Sequence, residues 1–454
     1  MVEKTYRLIR KIYFLCFLSL CAAFPFKTAL SQGLTLISDA ETESYVAKVV
    51  QPLFKAAGVN FNSNNIFIVS DNSLNAFVSD GNYLFVNTGT LLNIDDTNEL
   101  SGILAHETGH ILGGHIVRQK LKLEKMQYVM LGSMLAAGAA AVSTGRGDAA
   151  MAVILGSQSS ALNSMLNYQV EEERSADESA VKLLSKTKQS TAGLKRFMRK
   201  IKQQNALSGI DESDYFHTHP MTNERISHFN EAAKENHFST TNQLDADLAM
   251  IKAKLAAFML DTAKVKRLYP VSRNDAPARY AHAVLDFRIG NIAGALAEMD
   301  NLIAQQPNNP YFYELKGQFL FESGRVADSA AAYEKALKLL PNSPLLKISL
   351  AQAIIENSPS KQQAQKAANL LQQSLISVPT TTGWQLLARA YDICGEKAAS
   401  YYAAAEFNYA IGNLDGAQKQ VERAKKAKPT KSVSLKLEDL DERIKAELKE
   451  RRAF

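Results

Sequence analysis

From about Asn274 onward the chain keeps time with itself. Gly290 and Gly324 stand 34 residues apart, as do Pro307 and Pro341, and Ala295 and Ser329 occupy corresponding small-residue positions. A unit of that length holds two helices and cannot bury its apolar face alone, so successive units must stack into a solenoid with a concave face open to partners. This one feature commits more than a third of the chain to helical layers.

Such a period marks tetratricopeptide repeats. Tyr280, Ala283, Leu296, Tyr313, Gly317, Tyr333 and Ala336 then read as packing positions without chemistry. A third unit ends near Pro379 after a longer inter-helix stretch at Asn357 to Gln362. Trp384, Leu387, Ala388, Tyr391 and Gly395 follow, then a helix from Tyr401 to Ala410 and a boundary at Gly412. The repeat array is placed at 274–431, and 432–454 reads as a charged, solvated capping helix of mixed sign.

The N-terminal half carries chemistry. His106, Glu107, Thr108, Gly109 and His110 spell HExxH. On a helix, histidines four apart share one face, so both imidazoles can reach one metal ion with Glu107 beside it as a base. Asp95, Asp96 and Thr97 supply capping chemistry and Glu99 an acidic first turn; Leu100, Ile103, Leu104, Ile111 and Leu112 recur at helical spacing. Catalytic zinc takes three protein ligands, so a third must come from elsewhere. His115 is a poor candidate: at 100° per residue it points away from His110.

Downstream, Glu173 and Asp177 lie four apart in a helical pattern carried by Val170, Ala176, Ala180, Leu183 and Leu184. One of the two can ligate the metal while the other orients a ligating imidazole. Further on, Tyr215, Phe216, His217, Thr218, His219 and Pro220 offer two more histidines, and Arg225 follows six residues after His219. Arg225 is expected near the site, where it would stabilise negative charge on a carbonyl oxygen.

HETGH, the ERSAD at 173–177, His219, Pro220 and Arg225 resemble the gluzincin metallopeptidases of the HtpX and BepA type. Asn75 to Phe77, Tyr83 to Thr90 and the Leu91–Leu92 pair are similar to the strand and turn before the zinc helix in that family. The resemblance covers roughly residues 40–235. It implies one Zn2+ per chain held by His106, His110 and Glu173, with Glu107 as catalytic base and His219 as a fourth, regulatory ligand. Asp177 then becomes the residue that orients a ligating histidine.

Strand signals at Ile66 to Val69, Asn75 to Val78 and Tyr83 to Val86, separated by Asp71-Asn72 and Asp80-Gly81-Asn82, predict a small antiparallel sheet. Its edge would take up an extended peptide through main-chain hydrogen bonds, which suits unfolded or misassembled protein substrates better than one defined sequence.

Residues 1–31 have a basic start (Lys4, Arg7, Arg10, Lys11), an apolar run from Ile12 to Phe24, and Ala29, Leu30, Ser31 before Gln32. They read as a signal peptide cleaved after Ser31, which points to a bacterial periplasm. Removing five basic and one acidic residue takes the net charge from +6 to +2, so nothing argues for a nucleic-acid partner. Cys16 and Cys21 leave with the signal, and Cys394 remains with no internal partner.

Two apolar stretches, Tyr128 to Val142 and Ala149 to Leu166, form an insertion at 128–166. Each is too short to span a bilayer as a regular helix. Peripheral membrane contact and a buried core hairpin are both open readings.

The expected architecture is mostly α: an α+β zincin-like peptidase domain at 32–236, connecting helices at 237–273, and the repeat solenoid. The expected function is a periplasmic zinc endopeptidase for envelope quality control. Its repeats would recruit substrates or a protein partner, with an outer-membrane assembly machine as the setting the resemblance implies. A chaperone or scaffold with a latent metal site is the alternative, and a maturation protease for one precursor a third.

Overall fold

The computed structural model describes residues 34–122, 169–208, 219, 222–236, 238–239 and 242–453. The segment 1–31 expected to be a signal peptide, the apolar insertion at 128–166, His217 and Pro220 lie outside the described residues.

Helix α1 (Ala40–Ala57) starts at Asp39, whose side chain accepts the Thr42 amide, and ends on Gly58 in the left-handed region. Its apolar face, including Tyr45, Val49, Val50 and Leu53, packs into the first core. Against it lies a four-stranded sheet made of β1 (Leu36–Ile37), β2 (Ile66–Val69), β3 (Ala76–Ser79) and β4 (Tyr83–Asn87), in the order β1-β2-β4-β3.

The sheet is mixed rather than antiparallel as expected. β1–β2 and β3–β4 run antiparallel, but β2 and β4 run parallel, with Ile66 opposite Leu84 and Ile68 opposite Val86. The cause is the connection after Val69. Asp71 accepts the Gly89 amide through its carbonyl oxygen, so the chain leaves β2 and passes the end of β4 before β3 begins. Turn residues mark where a strand stops and leave open which neighbour the next strand chooses. β3 is an edge strand among the described residues. Ile66, Ile68, Leu84, Val86 and Ala76 face the core, while Phe67, Phe85 and Phe77 stack on the opposite face with centroids 5.1 and 4.8 Å apart.

β4 leads through α2 (Thr88–Asn93) into α3 (Thr97–Gly113). Asp96 caps α3 by accepting the Glu99 amide at 3.0 Å. Helix α5 (Ala192–Ser208) clamps the same end: Arg196 pairs with Asp96 and Glu99, and Lys200 reaches Glu99 at 2.9 Å. Between them in sequence, α4 (169–186) crosses α3.

α7 (Asp245–Met259) is buried on two sides. Leu248, Ile251 and Leu255 enter the first core, whereas Ala253, Ala256 and Ala257 enter a second core shared with α9 (Ala276–Arg288). The expected repeat follows. Gly290 and Gly324 both take positive φ, 83° and 80°, at the turn between paired helices, a conformation glycine adopts without steric cost. Pro310 and Pro344 open α11 (Pro310–Glu322) and α13 (Pro344–Glu356) at the first turn, where no amide partner is lost. Tyr280, Ala283, Leu296, Tyr333 and Ala336 are buried, as their packing role requires.

The C-terminal helix, Lys431–Ala453, is not solvated all round. Leu437, Leu440 and Ile444 are buried in a fourth core with Leu414 and Val421, so one apolar stripe seals the last layer. No helix among the described residues is long and apolar enough to cross a membrane.

Candidate metal centre

α3 is almost wholly buried, which places both motif histidines inside the molecule. His106 is fully buried and Glu107 is 2 % exposed. α4 can approach only because Gly109 has no side chain: a Cβ there would sit 2.6 Å from the Ala176 carbonyl oxygen. That backbone contact brings Glu173 and Asp177, which flank Ala176 on α4, against the histidine face. Gly109 is one of the two variable positions of HExxH, so its presence in the motif was visible while its purpose was not.

Four donors converge. One ligand atom from each of His106, His110, Glu173 and His219 lies within 4.8 Å of all the others. His106 Nε2 is 3.1 Å from His110 Nε2 and 3.3 Å from His219 Nδ1. Glu173 Oε1 is 3.2 Å from His110 Nε2 and 3.0 Å from His219 Nδ1, and Glu173 Oε2 is 3.2 Å from His106 Nε2.

Asp177 stands behind this group with its Oδ1 2.8 Å from His106 Nδ1. An imidazole whose Nδ1 faces a carboxylate presents Nε2 to the centre. Arg225 sits on the other side of that carboxylate, with Nε 2.6 Å from Asp177 Oδ2, Nη2 2.9 Å from Oδ1, and Nη1 2.9 Å from Glu173 Oε2. Its guanidinium is thus engaged with two carboxylates, Asp177 and Glu173. A fork that fits a carboxylate on two nitrogens is strongly held there in a buried setting.

The electrostatics follow from crowding. Burial pushes His106 down, but Glu173 and Asp177 outweigh it and raise the imidazole to about 10. Burial drives His110 the other way, to about 3. Two imidazoles 3.1 Å apart cannot both be charged. Burial would raise Glu173, yet the neighbouring histidines hold it well below the carboxylate range, the ionised state a metal ligand needs. Asp177 is likewise lowered because the hydrogen bonds from His106 and Arg225 outweigh burial.

Glu107 points to the same place without joining the donor group. Burial raises it above its ordinary value, more than the charges of His219 and His106 lower it. Its Oε1 is buried without a hydrogen-bond partner, 3.5 Å from His219 Nε2. Three imidazole nitrogens and one carboxylate within 4.8 Å fit a borderline divalent cation such as zinc.

His115 corrects a geometric expectation. It is outside the donor group, but it does not point away. Gly114 takes φ 62° and ends α3, so the 100° rule stops applying one residue before His115. Its ring returns, 3 % exposed, with Nδ1 2.9 Å from His110 Nδ1.

Comparison with known proteins agrees with this geometry. Residues 40–233 match the model of Peptidase family M48, and residues 280–344 match a tetratricopeptide repeat. The chain is 24 % identical over 379 residues to the beta-barrel assembly-enhancing protease of Yersinia pestis, covering 79 % of this chain and 75 % of that one. It is 22 % identical over 404 residues to the protein of the same name in Escherichia coli K12, covering 84 % and 78 %. A putative beta-barrel assembly-enhancing protease of Vibrio cholerae is 22 % identical over 379 residues, covering 82 % and 77 %.

Proposed function

The chain carries an M48-type metallopeptidase domain followed by tetratricopeptide repeats, and from that premise we propose a zinc-dependent endopeptidase that clears unfolded or misassembled proteins from the bacterial envelope. The observation that carries the reading is the convergence of His106, His110, Glu173 and His219 beside Glu107. His106, His110 and Glu173 would hold the ion, and Asp177 and Arg225 would keep His106 and Glu173 in register. When bound, zinc supplies Lewis acidity toward a peptide carbonyl and toward water.

Glu107 does the proton work. A carboxyl raised by burial is better matched to neutral pH as a base. It takes a proton from water and returns it to the leaving amine. An extended substrate added to the β3 edge would lie beside this carboxylate, held through its main chain and with little regard to sequence. The repeats supply a separate surface for recruiting a substrate or partner. The relatives' printed names include beta-barrel assembly, and outer-membrane proteins are the substrate class we carry over from them. Export by the signal peptide at 1–31 fits that setting.

A second reading has its own observation. His219 Nδ1 is 3.0 Å from Glu173 and 3.3 Å from His106, in the place a substrate-accessible position would occupy. His219 is then a latch, and the protein is a repeat scaffold until the latch lifts.

The test is cleavage of casein by the full chain. Glu107→Gln should retain zinc and lose cleavage, while His219→Ala should raise the rate. A Glu107→Gln protein that cleaves like wild type removes the peptidase reading, and an unchanged or slower His219→Ala removes the latch.

A further inference from the structure

His110 Nδ1 and His115 Nδ1 are 2.9 Å apart. Two N–H groups or two bare lone pairs repel at that distance, so one nitrogen carries a proton and the other does not. The other nitrogen of His110 settles which. Nε2 faces the donor group, 3.1 Å from His106 Nε2 and 3.2 Å from Glu173 Oε1. A neutral His110 offering its Nε2 lone pair to a cation must keep its proton on Nδ1, and that proton then points at His115.

We propose that His115 is a positioning residue of the metal centre: its Nδ1 accepts the His110 Nδ1–H and fixes the tautomer and ring plane that turn Nε2 toward the cation. The proposal rests on the metal-site reading above. It gives each histidine of HExxH its own partner, Asp177 for His106 at 2.8 Å and His115 for His110 at 2.9 Å.

The backbone is built for this return. Gly114 in the left-handed region closes α3 by donating its amide toward His110 and Ile111, so the chain doubles back at the level of His110. Gly113 clears the floor for the ring. A Cβ on Gly113 would sit 2.1 Å from His115 Nε2 and 2.5 Å from Cδ2, so the imidazole lies where any other residue's side chain would begin. The two rings meet edge to face, 4.9 Å between centroids at 80°, the geometry that lets one ring's N–H point at the other's nitrogen. Two glycines and a histidine that have no part in ligation thus serve one contact.

The full chain is titrated with zinc against a chromophoric chelator, and its cobalt form is read by visible absorption. His115→Leu should weaken zinc about 10–100-fold, the range for loss of a ligand's outer partner, and shift the cobalt bands. His115→Asn sets a carbonyl oxygen near the place of Nδ1 and should recover most of the affinity. Gly113→Ala provides an independent route: it improves helix propensity but displaces the ring, and zinc should weaken while the thermal melt holds. A Leu variant that binds zinc like wild type overturns the proposal, as does an Asn variant as weak as Leu. Wild-type protein that binds zinc in this His115-dependent way but cleaves nothing would sink the peptidase reading and leave His115 in its role.

Discussion

Two clusters of buried charge lie in this molecule, and they are resolved in opposite ways. At the metal centre, lone pairs face one another: three imidazole nitrogens and a carboxylate converge with separations near 3 Å. At the junction of the peptidase core and the repeats, carboxylates face proton donors. Lys254 of α7 reaches Asp39 at 2.7 Å and Glu41 at 2.6 Å, and the Tyr280 hydroxyl of α9 donates to Glu41 at 3.0 Å. Removal from water costs about several kcal/mol per ion in both places. The junction meets that cost within the protein, whereas the metal centre sets four ligand atoms within 4.8 Å of one another. Burial of charge does not separate structural from functional clusters. The direction in which the lone pairs point does.

The junction is acidic in excess. Burial raises Glu41 more than Lys254 lowers it. Burial also pushes Glu43 and Glu314, from α1 and α11, up to about 8. One ammonium therefore serves four carboxyl groups drawn from both domains, with Asp39 held below its ordinary value because Lys254 outweighs burial.

Lys254→Met should have the largest effect. It strips the ammonium from the buried Glu41 and the part-buried Asp39 and should cost about 3–5 kcal/mol in urea unfolding, with zinc stoichiometry retained. A loss below about 1 kcal/mol, the scale of an exposed pair, would mean the junction is solvated and the contrast false. Next in size is Asp177→Asn, which removes the charge behind His106. Zinc affinity should fall about 10–100-fold while the junction keeps its stability, and equal loss at both places would show that the two clusters are one energetic unit.

The smallest effect is graded with pH. Glu43 and Glu314 are raised in the folded state, so their contribution to stability is fully present below the ordinary value of 4.5 and is lost as pH rises through about 8. Glu314→Gln should flatten that part of the urea-midpoint profile. A profile with the same slope in the variant would assign the pH dependence elsewhere.

What could be read in advance depended on the range of the interaction. The αL glycines at 290 and 324, the Asp96 cap and the shared face of His106 and His110 are consequences of bonds within one or two turns, and the residue pattern carries them. Leu112, counted among the apolar positions of α3, is 47 % exposed, because periodicity marks a face without saying where its partner ends. The sheet's parallel pair was missed for a related reason: strand boundaries are local, and neighbour choice is not.

The repeat period, the histidine face of α3 and the acidic face of α4 follow from residue spacing alone, since helical geometry converts spacing into direction without outside help. What those faces meet depends on how the elements pack. His219 comes to His106 across 113 residues and Arg225 to Asp177 across 48. Gly109 sets how closely α4 passes, and Gly114 turns His115 back to His110 after the helix rule has lapsed. Such contacts exist only after the chain has folded, because their geometry is set by the packing of whole elements and no residue's neighbours in sequence encode it.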